Sequence, residues 1–147
     1  MYNLPPQERL VEWKNFRSSL DTMSFDDAVY SVNDFWNKQP IGNQFFSQDN
    51  PISWPDPWEI LLDNNSIDDI SKALGIAYSL HLSKHGKEHS INIICFHNRN
   101  KSKQTNTVQI DENKYVLNMD TSVSVNISLE QENLGTIVVK VPVTDLI

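Results

Sequence analysis

Residues 66–97 read SIDDISKALGIAYSLHLSKHGKEHSINIICFH, and the period of their apolar positions changes once, at Gly86. Before the glycine, Ile67, Ile70, Leu74, Ala77 and Tyr78 recur at helical spacing, extended by His81, which predicts an amphipathic helix over about 67–84. Ser66 with Asp69 three residues on has the form of a capping box, and His85-Gly86 supplies a stop. Gly75 in mid-helix costs roughly 1 kcal/mol against alanine, reasonable where another element must approach closely. After Gly86 the period becomes two. SINIICFH at 90–97 places Ile91, Ile93 and Cys95 on one face and Ile94 and Phe96 on the other. A strand that is apolar on both faces belongs inside a sheet covered on both sides.

Outward toward the C-terminus the strand pattern continues. TNTVQID at 105–111 and KYVLNMD at 114–120 read as strands joined by a tight turn at Glu112-Asn113. VSVNISL at 123–129 and TIVVKVPV at 136–143 read as a further pair, linked through Glu132, Asn133 and Gly135. Toward the N-terminus the pattern is helical. Pro5 and Pro6 fit a first turn, and Leu10, Trp13, Phe16, Arg17 and Leu20 give a helix over roughly 6–20. A second helix opens at Ser24, with Asp27 completing a capping box, and Pro40 stops it; Ala28, Val29, Val32, Phe35 and Trp36 form its stripe. Residues 41–55 read as an ordered loop that carries Phe45, Phe46 and Trp54. In SWPDPWEILLDNN at 53–65, Asp56 is a natural N-cap, with Pro57 at N1 and Glu59 at N3 of a short helix. Helices followed by antiparallel strands make an α+β order: N-terminal helices and a central helix packed on an antiparallel β-sheet.

The chain of 147 residues fits one domain, residues 1–147, with a helical N-terminal part (1–52) and a central helix plus sheet (53–147). Only four glycines are present, which argues against a glycine-rich phosphate cradle. No window approaches 18 uninterrupted apolar residues, so no membrane partner is expected. The opening MYNLPPQERL has no basic segment followed by an apolar run, so no secretory signal is expected either. A single cysteine, Cys95, makes no internal disulfide, and a reducing site of synthesis is the default. Residues 1–70 carry 12 acids and 4 bases, against 7 and 8 in residues 71–147. The acidic first half offers no cluster to displace counterions, and Arg99, Lys101 and Lys103 read as a solvated hairpin tip. Nucleic acid is therefore not the expected partner.

The candidate chemistry is sparse. His81 and His85 stand at i, i+4, a spacing used for zinc, but no glutamate follows His81 and no third ligand has a definite position. They are weak metal candidates, and no cofactor is expected. Asp26-Asp27 and Asp68-Asp69 fall in first helical turns, where the macrodipole favours negative charge. Cys95 sits within an alternating strand that buries it as a small hydrophobe.

From about residue 53 to 120 the order of elements resembles transglutaminase-like and papain-like cysteine enzymes. In that plan a thiol at a helix start is activated by the helix N-terminus and by an imidazole on a neighbouring strand. The resemblance places the cysteine position at Ile67 or, with a shift of one, Asp68. It places the histidine position at Asn106 and the aspartate position at Asn118. None of these is the family's residue, so the resemblance implies a degenerate, non-enzymatic relative without the catalytic triad. A second resemblance rests on the strings LPPQERLVEWKNFRSSL, VNDFWNKQPI, SWPDPWEILLDNN and DISKALGIAYSLHLSKH, which look like small proteins of large-genome, contractile-tailed bacteriophages. It implies a virion structural or assembly protein of tail, baseplate or neck, assembled in the host cytoplasm and docking on other phage virion proteins. Phe45, Phe46, Trp54 and Trp58 are then the candidate interface anchors. Alternatives are an early phage protein that binds and inhibits a host protein, and a cysteine hydrolase or zinc enzyme with a rearranged site.

Overall fold

A computed structural model describes residues 1–42, 50–62, 67–99, 103–128 and 135–146. Helix α1 spans Pro6–Leu20 with its prolines at the start, and α2 spans Phe25–Asn37. The Ser24 side chain accepts from Asp27 N at 3.2 Å, so the cap read from the sequence is formed. A 3-10 turn at Pro51–Ser53 leads to α3, Pro57–Leu62. The central helix α4 spans Asp69–His81, with a second 3-10 turn at Lys84–Lys87 after it. Strands β1 (Ile91–Asn98), β2 (Lys103–Ile110), β3 (Tyr115–Met119), β4 (Ser122–Val125) and β5 (Gly135–Pro142) form one antiparallel sheet in the order β4-β3-β2-β1-β5.

Three expectations change. The central helix starts at Asp69 because Asp68 caps it, its Oδ1 accepting from Ser71 N at 2.9 Å. Ser66 lies outside the described residues. The helix ends at His81, and Gly86 belongs to the 3-10 turn. No glycine has a positive φ, and Gly86 is needed for space: a Cβ there would stand 2.1 Å from the His81 carbonyl oxygen. The last two strands do not pair with each other. β4 pairs with β3, and β5 crosses to the far edge to pair with β1 along its length. The reason lies in β1, whose residues Ile93–Phe96 are no more than 1% exposed. A buried strand needs ladder partners on both edges, and eight-residue β5 supplies the second.

Both faces of the sheet are apolar at β1. Ile91, Ile93 and Cys95 join the main core under the helices, while Ile94 and Phe96 join Val116 in a smaller cluster on the opposite face. β5 serves both. Cys95 faces Val139 but Phe96 faces Ile137, so the intervening Val138 is bulged out. The bulge turns Ile137 to the small cluster and leaves Val139 and Val141 on the main core.

The helices lock together at Ser79 of α4. Its hydroxyl accepts from Trp13 Nε1 of α1 at 2.9 Å and Trp36 Nε1 of α2 at 3.0 Å, and donates to the Gly75 carbonyl at 2.6 Å. One donor and two lone pairs are thereby used in full. Gly75 is the close approach that its mid-helix position implied: a Cβ would stand 2.5 Å from the Trp36 ring, which is 1% exposed. Helix propensity favours Gly75→Ala by about 1 kcal/mol, but overpacking against a pinned indole opposes it by on the order of 1–3 kcal/mol. Gly75→Ala is therefore expected to lower the urea midpoint; an unchanged or raised midpoint would show that the ring can move aside.

Candidate functional site at the head of the central helix

Two strands converge on the first residue of α4. Asn106 of β2 donates from Nδ2 to Asp69 Oδ2 at 3.0 Å, and Asn118 of β3 donates from Nδ2 to Asp69 Oδ1 at 3.2 Å. Asn118 Nδ2 also reaches the Asn106 carbonyl at 2.8 Å, and Gln104 Nε2 donates to Asn106 Oδ1 at 2.8 Å. Both asparagines are buried, at 0% and 2% exposure, whereas Asp69 is exposed. The result is a carboxylate at the surface held in one orientation by two amides from beneath.

Asn118 reaches this position through an unusual backbone. Its φ is +58°, a region that asparagine enters more readily than most residues. The β3–β4 register shifts between Val116 and Met119. Asn33 of α2 holds the distortion: its Oδ1 accepts from Asn118 N at 2.9 Å, and its Nδ2 donates to the Thr121 carbonyl at 3.0 Å.

Of the sequence-derived site positions, the structure brings Asn106 and Asn118 together, and the residue they meet is Asp69, next after Ile67 and Asp68. Ile67 is buried and bonds through its backbone to Pro40 and Gly42, beside Ile41. Asp68 is the helix cap. Asp69 faces the asparagines, and reading it as part of a capping box opened by Ser66 concealed this role. The signal that could have found it was the second of two adjacent acids at a helix start: one caps, and the next turns toward the sheet.

The other candidates separate. Trp54 is 8% exposed and packs in the chain's own core, so it offers no anchor to a partner, whereas Trp58 is 53% exposed. Phe45 and Phe46 lie outside the described residues. His81 closes α4 but His85 lies in the following turn, so the helical i, i+4 geometry is not formed. The His85 Nε2 bonds the Leu20 carbonyl at 2.9 Å. Among the described residues no group of three His, Cys, Asp or Glu is arranged for a metal. Cys95 is fully buried in mid-β1.

Lys72, on the first turn of α4, is 3% exposed. It forms no ion pair with Asp68 or Asp69. Burial pushes its ammonium below the usual lysine range, and Asp69 only partly restores it. Because the folded-state pKa is lowered, the folded chain holds fewer protons than the unfolded one between the two values, and stability rises with pH across that window. Lys72→Met is expected to raise the thermal midpoint at pH 7, with the gain shrinking as pH approaches about 10. Asp69→Ala strands two buried amide donors and is expected to cost about 1–3 kcal/mol in urea unfolding. A smaller loss would mean that water replaces the carboxylate freely.

No family model matches the chain, and no curated protein matches it. Among solved structures, it is similar to Legionella pneumophila LapG in a calcium-bound form, with a TM-score of 0.69 at 13% identity, covering 93% of this chain and 76% of that one. The likeness shows the fold: α+β, with helices on a five-stranded antiparallel sheet, of the transglutaminase-like kind.

Proposed function

We propose that the chain is a non-enzymatic docking subunit of a bacteriophage particle, built on a cysteine-enzyme fold whose catalytic positions have been given over to binding. The observation that carries this reading is the Asp69–Asn106–Asn118 cluster at the head of α4. In the enzymes whose plan the sequence resembles, that place holds a thiol with an imidazole on the neighbouring strand. Here the three side chains are a carboxylate and two amides. Asparagine takes no proton as a general base, and neither a thiol nor an imidazole stands in the cluster. Cys95, shut between β2 and β5, has no route to a substrate.

Docking draws support from apolar side chains left at the surface. Trp58, Tyr30, Val125 and Val138 are half exposed, and Ile41 and Ile52 more so. Aromatic anchors of this kind concentrate binding energy when a partner covers them. The assignment to a virion rests on the resemblance of the helical strings to small phage proteins.

Quantitative mass spectrometry of purified particles tests the reading. A fixed copy number in multiples of three or six, scaling with tail proteins, is expected. Absence from particles with strong early expression would overturn it in favour of a host-directed binder. In parallel, iodoacetamide at neutral pH is expected to leave Cys95 unmodified in the native chain and to alkylate it in urea. Rapid native labelling would revive a hydrolase.

A further inference from the structure

Strand β4 closes one side of the sheet, and among the described residues no strand lies beyond it. Its free edge has a definite pattern. Asn126 N donates to the Lys114 carbonyl at 3.0 Å, Tyr115 faces Val125, and Val116 faces Ser124. Bonded and non-bonded pairs alternate along an antiparallel ladder, so Ser124 bonds toward β3, and the N–H and C=O groups of Val123 and Val125 point outward. The two edges of the sheet are unequal. β5 carries the features that blunt an edge, namely Lys140, the bulge at Val138 and Pro142. β4 reads SVSV, with no charge and no proline. Its hairpin turns at Asp120-Thr121, with φ of +51° and +68°, as in a two-residue type I′ turn, and Asn33 ties the Thr121 carbonyl to α2.

Between this edge and α2 runs a groove of about 580 Å3, lined by Tyr30, Ser31 and Asp34 on the helix and by Thr121, Ser122 and Val123 on the hairpin. Tyr30 and Val125 are each about half exposed. The charges of α2 are all acidic, at Asp26, Asp27 and Asp34, and Asp26 and Asp34 flank Tyr30 at i, i+4 spacing. Asp34 holds Lys38 in an exposed pair, of a kind that contributes little and exchanges readily. At the other end of β4, Lys114 lies over the Tyr115 ring. We propose that β4 and α2 receive an extended segment of a partner protein, added to the sheet as a further strand with a basic side chain toward Asp34. The inference rests on the docking reading and names the form of the segment that docks. An unpaired main-chain edge calls for another main chain, and the groove receives that strand's alternate side chains. Apolar ones fit against Tyr30 and Val125, and the basic one belongs at the Asp34 end, away from Lys114. The other neighbours in the sheet are antiparallel, and in that sense the basic residue comes last. The turn and Asn33 hold the edge in place beforehand, which lowers the ordering cost of binding.

The test is a titration of the full-length, 15N-labelled chain with acetyl-Val-Thr-Val-Thr-Lys-amide, the same peptide ending in glutamate, and a form N-methylated at both valines. With the lysine peptide the Val123 and Val125 amide resonances are expected to shift saturably, and their hydrogen exchange to slow by about five-fold or more. Exchange at Ser124, already bonded to β3, is expected to change little. The methylated peptide, which lacks the two pairing donors, is expected to slow neither valine. The glutamate peptide is expected to bind about three-fold or more weakly, a gap that closes at high salt and in Asp34→Asn. If that variant does not fold, the three peptides on the native chain decide alone. No shift with millimolar lysine peptide, equal slowing by the methylated form, or equal binding of the glutamate form overturns the proposal. That failure would leave particle incorporation untouched, whereas strand addition to a chain absent from particles would remove the virion reading and keep the groove.

Discussion

The contact of Trp36 with α4 is the constraint on which the rest depends. The indole lies flat over Gly75 and donates to Ser79, which also takes the Trp13 N–H, so three helices are fixed in rotation and in register at one hydroxyl. One turn earlier on α2 stands Asn33. With Trp36 pinned, Asn33 is set against β3, where it holds Asn118 in a left-handed backbone conformation and ties the Thr121 carbonyl. Asn118 in turn presents its amide to Asp69 and to the Asn106 carbonyl. A glycine and a serine in mid-helix thus reach the surface carboxylate through a chain of named contacts.

The sheet has a comparable logic. β1 is buried on both faces, which demands two neighbouring strands and two hydrophobic layers. β5 meets both demands because of one bulged residue: without Val138 looped out, Ile137 and Val139 would share a face, and one cluster would lose its edge. Val138 is half exposed as a consequence, one of several apolar side chains left over from internal needs and open to a partner.

Much of this was legible in the sequence. The change of period at Gly86 gave helix then strand, Ser24 gave a true cap, and Gly75 marked a close approach. The pairing of the last strands was not legible, because alternation reports which face a residue takes and carries no information about which strand lies beside it. The head of α4 was misplaced because Ser66, Asp68 and Asp69 all suit a helix start, and local capping chemistry does not choose among them; the two asparagines that distinguish Asp69 come from 37 and 49 residues away. Asn33 left no local trace at all. It reads as an ordinary polar position on an amphipathic helix, and its role exists only once β3 is folded against it.

The account stands or falls on whether the carboxylate and the helix packing form one network. A double-mutant cycle between Asn33→Ala and Asp69→Ala, followed by urea unfolding, measures this directly, since Asn118 links the two side chains. A coupling of about 1 kcal/mol or more is predicted, because loss of either one releases the Asn118 amide from the other. Additivity within about 0.3–0.5 kcal/mol would contradict the account and reduce the head of α4 to an independently capped helix end.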